Sequence, residues 1–189
     1  MSENTANSNR ILTIPNLLTL VRLALIGVMV RYFILERPIA AMVVYLTASA
    51  TDVVDGYIAR RFHQISNVGK VLDPIADKGL TIAALICMLV QGYFSTWLLV
   101  VIVAKELMMV VGGALIYFVF KRVVQANYFG KFAAFTYFLA VVLLFLHQYV
   151  APWDAWFMAL AVALNIISMV QYGYINIILA EREKKEIVD

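Results

Sequence analysis

A chain of 189 residues that is 63% hydrophobic and only 14% charged cannot clothe itself in the polar surface a soluble domain needs. Its mean hydropathy of +0.87 points instead to a membrane. The single cysteine, Cys87, excludes an internal disulfide framework and a cysteine-based metal site, and reads as a lipid- or core-facing spacer. The net charge of +3 is split among several connections rather than gathered in one stripe, which argues against nucleic acid as a partner and for a lipid surface.

In chain order, residues 1–13 form a polar segment. They are not a signal peptide, because the apolar run that follows is too long and has no small-residue cleavage site. Six apolar segments long enough to span a bilayer then follow, at 14–35, 38–62, 66–92, 95–121, 128–150 and 155–180. They are separated by ERP, FHQISN, QGYFS, KRVVQAN and APWD, connections short enough to make neighbouring helices antiparallel. The expectation is an all-α integral membrane protein with one six-helix transmembrane domain over 14–180 and a charged tail at 181–189.

Charge orients the expected bundle. With the N-terminus in the cytoplasm, Arg10, Arg60, Arg61, Lys70, Lys121, Arg122, Lys131, Arg182, Lys184 and Lys185 fall inside, against Arg31 and Arg37 outside. Tyr93, Phe94, Trp97, Tyr149, Trp153 and Trp156 gather at the outer ends, where amphipathic rings settle. Both termini are therefore expected in the cytoplasm, with the protein in the cell (inner) membrane.

The first segment opens IPNLLTLVRL, with Asn16, Thr19 and Arg22 at three-residue steps. Arg22 is a permanent charge in an apolar helix and needs a partner. An anionic acceptor or lipid phosphate would serve; so would a cluster of acids. Such a cluster is at hand. On the second helix Asp52, Asp55, Gly56 and Ala59 share one face, and on the third Gly69, Asp73 and Asp77 do.

A short cytoplasmic turn joins these helices, so antiparallel packing can gather all four carboxylates near the inner surface. Together they stay ionised only around a cation, and hard oxygens select Mg²⁺ or Mn²⁺. A pair of such ions is what phosphoryl-transfer sites use. Gly56, Ala59 and Gly69 keep the wall free of bulk for a nucleotide or diphosphate, and Arg60 suits a phosphate as a planar fork. A proton or cation path is the competing use of intramembrane acids, but that would spread them through the bilayer depth.

Farther on, Lys105 and Glu106 are adjacent on the fourth helix and are expected not to pair face to face. Gly112-Gly113 would permit either a close helix contact or a kink. Lys131 reads as a phosphate ligand or a positive-inside anchor. His63 reads as a solvated loop residue near the acids, and His147, near the outer end of the fifth helix, is given no role.

Asp52, Asp55, Gly56, Ala59, Arg60, Gly69, Asp73 and Asp77 fill every position of Asp-x-x-Asp-Gly-x-x-Ala-Arg, eight residues, then Gly-x-x-x-Asp-x-x-x-Asp. In this the chain resembles the CDP-alcohol phosphotransferase family along essentially its whole length. The resemblance implies six transmembrane helices, a homodimer, and a site open to the cytoplasmic leaflet. It implies displacement of CMP from a CDP-linked lipid by an alcohol. Asp52, Asp55 and Asp73 would hold two metal ions, and Asp77 would be the base that also reaches the metal site.

Arg22 and SMVQY at 168–172 resemble the branch of the family whose acceptor is glycerol 3-phosphate. So do Lys105-Glu106 and Gly130-Lys131, although Lys105 stands where that branch carries Arg, and Phe132-Ala133-Ala134 follow Lys131. CDP-diacylglycerol and glycerol 3-phosphate are therefore the expected substrates, with Arg22, Lys105 and Lys131 on the acceptor. Phosphatidylglycerol, giving cardiolipin, or an inositol phosphate would be the alternative acceptor.

Overall fold

In a computed structural model, residues 14–61, 69–120 and 128–186 are described, and all regular structure among them is helical. The chain divides into two compact units, Met1–Gln91 and Gly92–Asp189. The described part of the first unit holds α1 (Ile14–Ile34), α2 (Pro38–Arg61) and α3 (Gly69–Val90). That of the second holds α4 (Thr96–Phe120), α5 (Tyr128–Phe145), a single turn α6 (His147–Val150) and α7 (Trp153–Glu186). By length and composition, three of these (within α1, α5 and α7) are apolar enough to cross a membrane, and Pro38–Val54 of α2 is a shorter apolar run.

In the first unit α1 is the central helix. It packs along both α2 and α3, which touch each other much less. Its core side chains Met29 and Phe33 are buried, as are Ala41, Tyr45 and Ala48 of α2 and Ala76, Leu80, Ala84, Leu85 and Met88 of α3. The recurring alanines let helix backbones come close, the usual basis of packing where lipid removes most of the hydrophobic driving force.

The α1–α2 turn closes by a reciprocal pair of backbone bonds. The Arg37 N–H donates to the Tyr32 carbonyl and the Glu36 N–H to that of Phe33, both at 3.0 Å. This is the Schellman arrangement, which needs a left-handed residue after the helix. Glu36 supplies it at φ 56°, where glycine would be unstrained. Pro38 then opens α2, its fixed φ suited to a first helical position. At the end of α3 the corresponding left-handed position is filled by Gly92, at φ 78°.

The second unit packs α7 against α5 and, less extensively, against α4. Ala133, Ala140, Val141, Leu144 and Phe145 meet Met158, Ala161 and Val162 in its core. Asn165 bolts the two helices together, donating at 2.9 Å to the carbonyl of Ala133 on α5 as well as to Ala161 on its own helix.

Two element boundaries differ from those the hydropathy predicts. The fifth apolar segment, expected to run unbroken to 150, stops at Phe145 and restarts as α6 after a tight turn in which the Leu146 N–H reaches Leu143 at 2.9 Å. That break brings His147 Nδ1 to 2.6 Å from Asp154 Oδ2 and stacks its ring on Tyr93, with centroids 4.2 Å apart. Burial, and then the charge of Asp154, push the Tyr93 phenol above its ordinary pKa. Histidine 147, given no role from sequence, is thus a structural clasp. The last helix also runs to Glu186, past the expected boundary at 180, because the Glu, Arg and Lys residues there are good helix formers that need no hydrophobic support.

Glycine in place of Glu36 removes a left-handed penalty of about 1–2 kcal/mol, less what its greater freedom in the unfolded chain gives back. Glu36→Gly is therefore expected to raise the thermal midpoint of the detergent-solubilised protein, whereas Glu36→Val lowers it. Thermal unfolding of both variants checks the assignment.

Candidate active site

Asn16, Thr19 and Arg22 lie on one face of α1 and all three are buried, Thr19 and Arg22 completely. This face is where the acids are met. Arg22 Nη1 lies 2.7 Å from Asp52 Oδ1 of α2, and the Thr19 hydroxyl donates to Asp73 Oδ1 of α3 at 2.5 Å. Of the partners weighed for Arg22 from the sequence, the structure gives it the acid cluster. Thr19 and Arg22 are three residues apart, a rise of roughly 4.5 Å along α1. Asp52 and Asp73, on different helices, are thereby held a turn apart against the same face of a third.

The Arg22 side chain is fully buried while that of Asp52 is 41% exposed, so the pair straddles the edge of the packed unit. The cation is desolvated and the carboxylate is not. Asp77, one turn beyond Asp73, is exposed, and its backbone carbonyl accepts from the Thr81 hydroxyl at 3.4 Å. Tyr45 is buried on α2 and hydrogen-bonds Thr81 and Ser49, close enough to Asp77 to feel its charge. Neither the contact of Thr19 with Asp73 nor the place of Tyr45 was assigned from sequence. The three-residue spacing from Asn16 to Arg22 was the available signal for Thr19, and nothing in the pattern distinguishes Tyr45 from an ordinary core aromatic.

The other expected members are placed in backbone only, or not at all. Gly56 is half-buried on α2 and Gly69 begins α3. The side chains of Asp55, Ala59 and Arg60 lie outside the described part of the structure, as does all of His63. Among the described residues no three acidic, histidine or cysteine side chains converge on one point. Asp52 and Asp73 nevertheless fit a hard divalent cation in donor chemistry. Each is held through Oδ1, so neither must release its partner for its second oxygen to reach a metal.

In the second unit the expectation for Lys105 and Glu106 is corrected. Adjacent residues diverge at Cβ, but these side chains are long enough to fold back, and Lys105 Nζ lies 2.5 Å from Glu106 Oε1. Burial supplies the reason: Lys105 is 4% exposed and cannot remain there as an unpaired ammonium. Its Nζ also sits 5.4 Å from the centre of the Tyr137 ring on α5. Lys131 is exposed, 5.7 Å from the Tyr128 ring. A Cβ added at Gly112 would meet nothing within 4 Å, so this glycine makes no close helix contact among the described residues.

Residues 12–167 match the family model described as CDP-alcohol phosphatidyltransferase, and the chain belongs to that family. It is 35% identical over 152 residues to the CDP-diacylglycerol–glycerol-3-phosphate 3-phosphatidyltransferase of Bacillus subtilis, covering 71% of this chain and 77% of that one. It is 32% identical over 154 residues to the cardiolipin synthase (CMP-forming) of Streptomyces coelicolor, covering 77% and 71%. A shorter match, 42% over 93 residues, joins 46% of this chain to 41% of the CDP-diacylglycerol–glycerol-3-phosphate 3-phosphatidyltransferase of Cereibacter sphaeroides. The chain is accordingly a membrane-embedded transferase of phospholipid biosynthesis.

Removing one partner of a buried ion pair leaves an uncompensated charge and costs about 3–5 kcal/mol. Glu106→Gln is expected to lower thermal stability markedly, and Lys105→Met/Glu106→Leu to recover most of it. A double-mutant cycle of Lys105→Met, Glu106→Leu and the two together, read by thermal unfolding, gives the coupling.

Proposed function

We propose that this chain transfers the phosphatidyl group of CDP-diacylglycerol to glycerol 3-phosphate, releasing CMP and forming phosphatidylglycerol phosphate. The observation that carries the reading is the anchoring of Asp52 and Asp73 on one face of α1, by Arg22 and Thr19. A relative named for this reaction and matched over 152 residues, with several matched over about half of the chain, supports the acceptor. The proposed setting is a six-span homodimer in the inner membrane, with both termini and the site in the cytoplasm. The distribution of Lys and Arg along the chain favours that orientation.

Asp52, Asp55 and Asp73 are the proposed ligands of divalent metal, Mg²⁺ or Mn²⁺ and two ions in number, with Asp77 at the edge of the same site. When bound, the metal neutralises the diphosphate and makes CMP a better leaving group. Gly56, Ala59 and Gly69 give the nucleotide room beside the backbone, and Arg60 grips a phosphate oxygen pair. Arg22 offsets one of the four carboxylate charges and orients Asp52. Asp77, exposed and so within reach of solvent and substrate, takes the proton from the acceptor hydroxyl as it attacks the lipid-linked phosphorus. Arg22, Lys105 and Lys131 are the cationic residues proposed, from the family resemblance, for the acceptor phosphate. A site that balances such charge against a bound phosphate discriminates against free glycerol, which would leave it unpaired.

Supplying purified protein with CDP-diacylglycerol, Mg²⁺ or Mn²⁺ and a panel of alcohols, then identifying the lipid formed, tests the reading. Phosphatidylglycerol phosphate is expected, with little turnover of serine, inositol or free glycerol. Cardiolipin formed from phosphatidylglycerol would replace the acceptor and keep the chemistry; absence of CMP with every acceptor would defeat the enzyme reading. In the same assay Asp77→Asn is expected to keep CDP-diacylglycerol binding and lose about 10²–10⁴-fold in rate, the usual worth of a general base.

A further inference from the structure

We infer that Thr19 is a positioning residue for Asp73, and that its hydroxyl sets the carboxylate in the orientation that metal binding needs. The inference rests on Asp73 being a metal ligand, as proposed above. It adds a residue outside the acid signature, on a helix that contributes no carboxylate of its own to the site.

The geometry is specific. Thr19 is completely buried and its Oγ1–H donates to Asp73 Oδ1 at 2.5 Å, at the short end for a hydroxyl on a carboxylate. Threonine in a helix is restricted to two χ1 rotamers, and complete burial limits exchange away from the one that reaches Asp73. Asp73 lies four residues beyond Gly69, where α3 starts. The bond comes from a separate, central helix. It occupies Oδ1 and turns Oδ2 toward whatever lies on the other side of the carboxylate.

One turn along the same face, Arg22 Nη1 lies 2.7 Å from Asp52 Oδ1 as an ion pair. The two contacts differ in what they cost. Arg22 contributes a charge that competes with a bound cation, whereas the threonine hydroxyl is neutral and orients Asp73 without that competition. Partners of this kind, one bond removed from a metal, typically govern about 10–100-fold in metal affinity or activity.

Thr19→Val removes the hydroxyl and keeps the shape; Thr19→Ser restores a hydroxyl. Manganese binding to each purified protein is measured without substrate, by electron paramagnetic resonance titration, beside Asp73→Asn and the thermal midpoint of the metal-free proteins. Thr19→Val is expected to weaken Mn²⁺ binding about 10-fold or more and to lower kcat with little change in KM for CDP-diacylglycerol. Thr19→Ser should bind within a few-fold of the parent. Unchanged Mn²⁺ affinity in Thr19→Val, with Asp73→Asn impaired, overturns the role of Thr19 and leaves Asp73 a ligand. Unchanged affinity in Asp73→Asn overturns both. Weakened binding in Thr19→Val that tracks a lowered metal-free midpoint, and that Thr19→Ser fails to restore, makes Thr19 a packing residue and also overturns the proposal.

Discussion

A guanidinium with no solvent exposure in an apolar helix is stable only where an anion meets it, and Arg22 meets Asp52 at 2.7 Å. Much in the first unit is arranged around that requirement. It fixes which face of α1 turns toward α2, and the same face carries Thr19 to Asp73 of α3. Because α2 and α3 touch each other far less than each touches α1, the relation between their acids is set through α1. A helix with no carboxylate is thus the frame on which a carboxylate site is built. The ion pair with Asp52 offsets part of the desolvation of Arg22, and Asp52 itself is 41% exposed.

The second unit answers the same difficulty differently. Lys105 is nearly as buried as Arg22, yet its anion is its own neighbour, Glu106, and it reaches α5 through the face of the Tyr137 ring. There other links between elements are hydrogen bonds and a ring stack. Asn165 reaches the Ala133 carbonyl across α5 and α7, and the stack of Tyr93 on His147, with Asp154 beneath, joins the start of α7 to the turn before it. In the first unit two of the interhelical links run to the acids Asp52 and Asp73, which is where a reaction on charged phosphates would need rigid side chains.

Much of this was legible in the sequence, for physical reasons. Apolar segments of spanning length, broken at ERP and QGYFS, gave the helices α1 to α4 within a few residues, because the left-handed turns at Glu36 and Gly92 fall in those breaks. The family followed from eight signature positions whose residue types and spacing are chemically demanding, and residues 12–167 match its model. What hydropathy could not give was the break at Leu146. Leu143 to Val150 carries no proline or glycine, and the turn is accompanied by a contact between His147 and a residue seven positions on. Nor could helical periodicity alone foresee Lys105 folding back onto Glu106, since Cβ directions do not limit side chains of that length. The polar face of α1 was visible as Asn16, Thr19 and Arg22. Its targets were not, because only the packing of three helices decides which acid each residue faces.

The central claim is that Asp52 and Asp73, held from behind by Arg22 and Thr19, present their remaining oxygens to a divalent metal. The most direct measurement is a structure of the protein soaked in Mn²⁺, with anomalous diffraction locating the metal. The account predicts manganese at about 2.1 Å from a carboxylate oxygen of Asp52 and of Asp73, the distance typical of small hard divalent ions. It also predicts that the Arg22–Asp52 and Thr19–Asp73 contacts persist with metal bound. Manganese absent from these carboxylates, or bound only after both contacts have broken, would contradict it.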